Sequence, residues 1–274
     1  MITAAAPRVR DYLSYSAVRT FQGCPLKYRF RYVDGLTEDC VSSALVFGSA
    51  IHAAVEFFYS QQLAGEAAPD LRTLLKIYEC SWNERSREQI RFGSQETPES
   101  LNALAARMLH TFLKSELRIP EGRIIGVEEE LRGQLSPDLP GVLGRIDLIL
   151  ETEDAVIVQD FKTSRSLWAH EHAYEQAEQL LLYASLARHL VPGKPLRLQF
   201  TVLTKTKTPQ LQRVEATFDE QRLKRTTRVL QTVWQAIQAG HFYPAPSPIQ
   251  CSGCGYRKQC EAWSGNPPPG DNDA

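Results

Sequence analysis

The chain has 274 residues, an apolar fraction of 43% and a formal charge of −1, so it can bury a sizeable core as one large domain or two small ones. The near-neutral balance makes any phosphate binding the work of a local basic patch. No apolar run is long enough to span a membrane. The N-terminus, MITAAAPRVRDYLSYS, has no continuous apolar segment of the signal-peptide kind, so the expected compartment is the cytoplasm. The six cysteines then argue against disulfides and towards metal or cluster ligation.

In chain order, residues 1–13 read as a loose leader. Ser14 caps a short helix from Tyr15 to Gln22, closed by Gly23. Cys24-Pro25 follows, then a helical segment from Leu26 to Tyr32. Residues 44–63 carry apolar side chains at helical spacing, and helices follow at about 70–90 and 98–118. Residues 123–134 and 141–163 read as strands interrupted by the SPDLPG turn. Residues 171–190 read as a helix ended by Pro192-Gly193. Two more strands fall at Leu196 to Thr204 and Gln210 to Phe218, then a helix at 219–239. The end, 265–274, is polar and Pro-rich and is expected to be disordered. This order predicts an α/β fold: a mixed sheet preceded by a helical subdomain. The expected single domain spans 1–264, with a helical part at about 14–120, an α/β core at 121–218, and a helix and Cys-rich tail at 219–264.

The segment GVLGRIDLILETEDAVIVQDFKT, 141–163, reads as two strands joined by a polar turn. Asp147 sits within the first apolar run, and Asp160 and Lys162 end the second. Side chains two apart on a strand share a face, so Asp160 and Lys162 project together. Pairing across Glu151–Asp154 brings Asp147 onto the neighbouring strand. Two carboxylates and an ammonium amid Ile, Val and Leu need each other or a metal. Mg²⁺ suits such a carboxylate site and brings phosphate oxygens with it. Taken alone, an Asp-x-Lys pair is equally a surface ion pair.

Cys251, Cys254 and Cys260 fall within ten residues. One turn presents two sulfurs to a common centre, and a fourth ligand is needed. Cys24, at a helix end before Pro25, is the natural distant choice. Cys40 and Cys80 read as ordinary thiols. Zn²⁺ and a 4Fe-4S cluster both fit four thiolates. Either would staple the N-terminal segment to the tail.

Taken together, these elements resemble the PD-(D/E)XK nucleases. Within them they resemble the RecB-type branch, which includes the AddB nuclease domain and the CRISPR-adaptation exonucleases. The resemblance covers nearly the whole chain. It rests on Ser14-Tyr15-Ser16 to Cys24-Pro25-Leu26-Lys27-Tyr28, on a Gly-x-x-x-His-x-x-x-Glu helix at Gly48–Glu56, and on Gly144-Arg145-Ile146-Asp147. Asp160-Phe161-Lys162-Thr163, Gln179-Leu180-Leu181-Leu182-Tyr183 and the three C-terminal cysteines complete it, in the family's order.

The resemblance implies a restriction-endonuclease-like fold, a mixed central sheet flanked by helices with a Cys-ligated terminal staple. It implies Mg²⁺ or Mn²⁺ held by His52, Asp147, Asp160 and the main-chain carbonyl of Phe161. Lys162 would orient or help deprotonate the attacking water. Gln179 and Tyr183, four apart on one helix face, would line the site. Cys24, Cys251, Cys254 and Cys260 would hold a 4Fe-4S cluster. Asp160 stands where many relatives carry Glu. The run Glu128-Glu129-Glu130 reads as a solvated face.

The implied activity is a metal-dependent DNA exonuclease acting on single-stranded ends, in recombination, repair or CRISPR adaptation. A non-catalytic DNA-binding module with an iron-sulfur or zinc staple is the alternative. Pro192-Gly193-Lys194-Pro195 lacks the glycine spacing and Ser/Thr of a Walker A loop, so a motor would be a partner: a helicase or a CRISPR-adaptation protein. Phosphate contacts are expected at Lys27, Tyr28, Arg29, Arg31 and Tyr32, with Arg222, Arg225, Arg228, Lys205 and Lys207 as further candidates.

Overall fold

A six-stranded mixed sheet organises the computed structural model, which describes residues 11–85 and 89–263. Most of the expected leader, and all of the tail from 265, lie outside the described residues. Tyr12 and Leu13, expected in the leader, instead form with the helix-capping Ser14 a strand, β1. The others are β4 (Arg123–Gly133), β5 (Gly141–Glu151), β6 (Val156–Ser164), β7 (Leu196–Thr204) and β8 (Leu211–Ala216). A two-stranded sheet joins β2 (Val41–Ser42) to β3 (Ile90–Arg91).

β4 pairs antiparallel along one edge of β5, from Arg123↔Glu151 to Gly133↔Val142. The other edge of β5 is shared. β1 takes its N-terminal end at Gly141 to Leu143, and β6 its C-terminal end at Leu148 to Glu151. Gly144 to Asp147 therefore have no strand partner on that edge, and the sheet forks there. β6 and β7 run parallel, and β8 returns antiparallel to β7. A parallel pair needs a crossover. Here it is α6 (His170–Gln176) and α7 (Glu178–Ala187). A single helix was expected over 171–190. The break falls at Ala177, whose N–H reaches back to Tyr174 O, a tighter bond than a continuing α-helix makes.

Helices cover both faces. On one lie α1 (Tyr15–Gly23), α7 and α8 (Glu220–Gln238), packed on Val156, Val158, Phe200 and Val202. On the other, α3 (Ser43–Leu63), α4 (Leu71–Arg85) and α5 (Pro98–Lys114) pack on Leu148, Leu150, Ile157 and Leu203. Caps fix their starts: Ser42 accepts from Leu45 N, Thr97 and Ser100 form a reciprocal box, and Asp219 accepts from Gln221 N and Arg222 N. α2 (Pro25–Tyr28) widens into a π-helical turn at Arg29–Val33, where a plain helix was expected. A third apolar cluster, Leu26, Phe30 and Tyr256, joins it to α9 (Pro248–Ser252) and α10 (Arg257–Glu261).

Candidate active site

The fork in the sheet sets the site. The β5–β6 ladder ends at Leu148↔Gln159, so Asp147 and Asp160 lie just past the last pair. With no β5 residue paired to it on that edge, the Phe161 N–H would be orphaned in the interior. Asp147 Oδ2 accepts it at 2.6 Å. The same oxygen meets His52 Nε2 at 2.9 Å. His52 comes from α3 across the sheet. Gly48, one turn earlier, permits that approach, because a Cβ there would sit 3.3 Å from Thr163 Oγ1.

Glu128 completes the cluster. It lies between the pairs Val127↔Leu148 and Glu129↔Ile146, directly across from Asp147. Its φ of 50° is left-handed, which is uncommon for a residue with a Cβ. Ligand atoms of His52, Glu128 and Asp147 all lie within 4.8 Å of one another. Arg145 Nε contacts Glu128 at 2.5 Å. Burial, then the Asp147 and Glu56 charges, push the Glu128 carboxyl up, and Arg145 and His52 offset only part of that. The expected solvated acidic face is thus corrected at Glu128. Counting back symmetrically across the SPDLPG turn sets Glu130 against Asp147; the observed register, with Gly133 opposite Val142, brings Glu128 there instead.

On the other face of β6, Asp160 and Lys162 project together, as their spacing requires. Lys162 Nζ lies 2.5 Å from Asp160 Oδ2. That oxygen is fully buried and has no well-directed hydrogen bond, so the ion pair is its one compensation among the described residues. Burial pushes the Asp160 carboxyl up to about 6, against the pull of Lys162. For Lys162, burial favours the neutral amine, but the Asp160 charge and contact carry its pKa above the ordinary value. His52 behaves alike: burial lowers it, and Asp147, Asp160 and Glu128 raise it on balance. Gln179 Nε2 donates to Tyr183 OH at 2.9 Å on α7. The Tyr183 ring lies against β5 because Gly144 has no side chain; a Cβ there would stand 2.7 Å from Tyr183 Cδ1.

The sulfurs gather elsewhere. Cys24, Cys251, Cys254 and Cys260 line one cavity of 440 Å³, and all are free thiols. Burial, then the neighbouring Cys24, Cys254 and Cys251, push the Cys260 thiol up. Cys40 and Cys80 are free and do not line it.

The first expected basic patch is partly paired and keeps a positive excess. Lys27 and Arg31 pair with Glu38, Arg29 pairs with Asp34, and Tyr28 is buried. Arg222 donates to the Tyr174 and Glu175 carbonyls.

The sequence pattern of the PD-(D/E)XK nuclease superfamily matches residues 12–261. The chain belongs to that superfamily. As a PD-(D/E)XK protein it is a metal-dependent nuclease, and its mixed sheet flanked by helices is the restriction-endonuclease-like fold. The crystal structure of a protein named "Putative exonuclease" from Eubacterium rectale aligns at TM-score 0.57 and 15% identity, over 94% of this chain and 90% of that one. At that identity the likeness is one of fold. The structure of SSO0001 aligns over 90% of this chain and 95% of its own at 15% identity, with a TM-score of 0.34 that carries no argument. No curated protein matches the chain. No helix among the described residues is long and apolar enough to cross a membrane.

Proposed function

We propose that this nuclease is a DNA exonuclease of the RecB-type branch that acts on single-stranded ends. The observation that carries the reading is the convergence of His52, Glu128 and Asp147 within 4.8 Å, beside the buried Asp160–Lys162 pair. One imidazole and clustered carboxylates, with a buried Asp160 oxygen whose one partner among the described residues is Lys162, form a donor set that fits a divalent cation. His52, Glu128, Asp147, Asp160 and the Phe161 carbonyl would hold Mg²⁺ or Mn²⁺. Bound there, the ion lowers the pKa of water and offsets charge on the phosphate.

The protein's own groups do the rest. Lys162, held beside Asp160, would steer the attacking water and steady negative charge on the phosphoryl oxygens. Tyr183, oriented by Gln179, faces Lys162 and helps hold the scissile phosphate. Asp147 ties β5 to β6 at the fork by accepting the Phe161 N–H.

Cys24, Cys251, Cys254 and Cys260 would hold a 4Fe-4S cluster. That all four sulfurs line one cavity supports their holding a shared centre. The cluster would tie α1–α2 to the tail within the one domain, 1–264, and take no part in cleavage. The setting is cytoplasmic recombination, repair or CRISPR adaptation, with a helicase or adaptation protein as partner.

The test uses anaerobically purified protein and end-labelled single- and double-stranded DNA with Mn²⁺ or Mg²⁺. Metal-dependent release of terminal nucleotides from single strands, lost in Lys162→Ala, is expected. Cuts confined to chain interiors, or equal activity in the variant, would refute the reading.

A further inference from the structure

A groove of 520 Å³ opens beside the fork, between α3, α5 and the β6–β7 pair. Its volume lies within the roughly 300–1,000 Å³ typical of small-ligand sites. His52, Phe161 and Lys162 form its inner rim, so it is continuous with the hydrolytic centre. Beyond them its walls are apolar: Leu45, Ile51, Val55, Phe112, Leu203 and Leu211. Leu45 is 54% exposed at the rim, an apolar side chain left open to a visitor. Ser49, Thr163 and Thr201 add a few hydroxyls.

Cations gather at the outer end. β6 and β7 finish side by side, where the Lys205 N–H donates to Ser164 O at 2.6 Å. That junction places Lys205 next to Arg165, close enough that burial and the Arg165 charge together depress the Lys205 pKa. The carboxylate facing both is Glu96, already engaged by Ser43 Oγ at 2.5 Å and by Gly93 N at 3.0 Å. Two cations against one anion leave a positive excess at the mouth.

We propose that this groove takes the terminal nucleotide of a single DNA strand, its base unstacked against the apolar walls and its backbone phosphate at Lys205 and Arg165. The inference rests on the nuclease reading and deepens it. An apolar slot with cations at its mouth and the hydrolytic centre at its inner rim suits a flat base joined to charged phosphate. A base inside a duplex cannot enter it, so the groove selects frayed or single-stranded ends.

The test uses the full chain in EDTA, so that nothing is cut. Short single strands carry 2-aminopurine at the 5′ end, at the 3′ end or in the middle. On binding, one end label is expected to change fluorescence several-fold as it unstacks, and the middle label little. Ala44→Trp, which fills the groove from an exposed position on α3, is expected to abolish the end response. Lys205→Ala is expected to weaken binding and to lower the salt slope by about 0.7, the share of one single-strand phosphate, while Lys224→Ala on α8 leaves it unchanged. End and middle labels that respond alike, or an end response that survives Ala44→Trp, overturn this proposal while metal-dependent cleavage still supports the nuclease reading. Failure of the wild type either to bind or, with Mn²⁺, to cut single strands overturns both.

Discussion

Replacing Glu128 by Gln should leave metal-free stability nearly unchanged and lower metal affinity. In the metal-free protein Glu128 is pressed by Asp147 and Glu56 and only partly relieved by Arg145 and His52. Removing its charge lowers that repulsion, and Gln keeps the shape and the left-handed backbone. The metal-free stability should therefore stay within about 1 kcal/mol of wild type. The metal-bound state loses an anionic ligand. Outer partners of metal ligands are worth roughly 10–100-fold in affinity, so a direct ligand belongs at or above the upper end. A loss of about 100-fold removes about 2.7 kcal/mol of metal-linked stabilisation at saturation. For a chain of this size that shrinks the Mn²⁺-induced rise in Tm by about 5–10 °C. Thermal melts with and without Mn²⁺, alongside calorimetric titration, measure both quantities. An equal metal-induced rise in wild type and Glu128→Gln would refute the assignment.

Glu128→Gly should stabilise the metal-free protein by about 1 kcal/mol, because glycine accepts the φ of 50° without the cost a Cβ imposes, and denaturant melts would read it. Cleavage should fall as pH drops through about 6, where the buried Asp160 takes up a proton and can no longer ligate. The proton and the metal compete, so raising Mn²⁺ should move that acid limb to lower pH, and a limb indifferent to metal would count against Asp160 as a ligand. Gly144→Ala should cost roughly 1–3 kcal/mol and lower kcat, since its Cβ would stand 2.7 Å from the Tyr183 ring and must displace it. Cys24→Ser should lose the visible absorbance of the anaerobically purified protein and lower its Tm; unchanged absorbance would remove Cys24 from the cluster.

Much of the β5–β6 pair that carries the candidate site was legible because its signals are local. Asp160 and Lys162 share a face by period alone, and the run around Asp147 is too apolar to be a turn. The boundaries of α3 and β7 followed from the same periodicities. What was not legible depends on partners distant in sequence. β1 looked like leader because three residues carry no period, and only its pairing with Gly141 to Leu143 makes it a strand. That pairing also creates the fork, by taking the edge of β5 that β6 leaves empty. Glu128 was hidden in an acidic run, where composition points to solvent, and its backbone twist is set by the β4–β5 register. The basic stretch at Lys27 to Tyr32 misled for the converse reason. Glu38, which offsets part of the charge of Lys27 and Arg31, stands beyond the helical segment that holds them.

The most direct test of the central claim is a Mn²⁺ titration of single-strand cleavage by wild type and Asp147→Asn, both purified anaerobically. Asp147 touches His52 and the Phe161 N–H through one oxygen, so it holds the fork and the donor cluster together. Cleavage that is absent without metal, saturates with Mn²⁺ and falls by at least roughly 100-fold in Asp147→Asn is the result this site predicts. Cleavage without metal, or an Asp147→Asn variant as active as wild type, would contradict it.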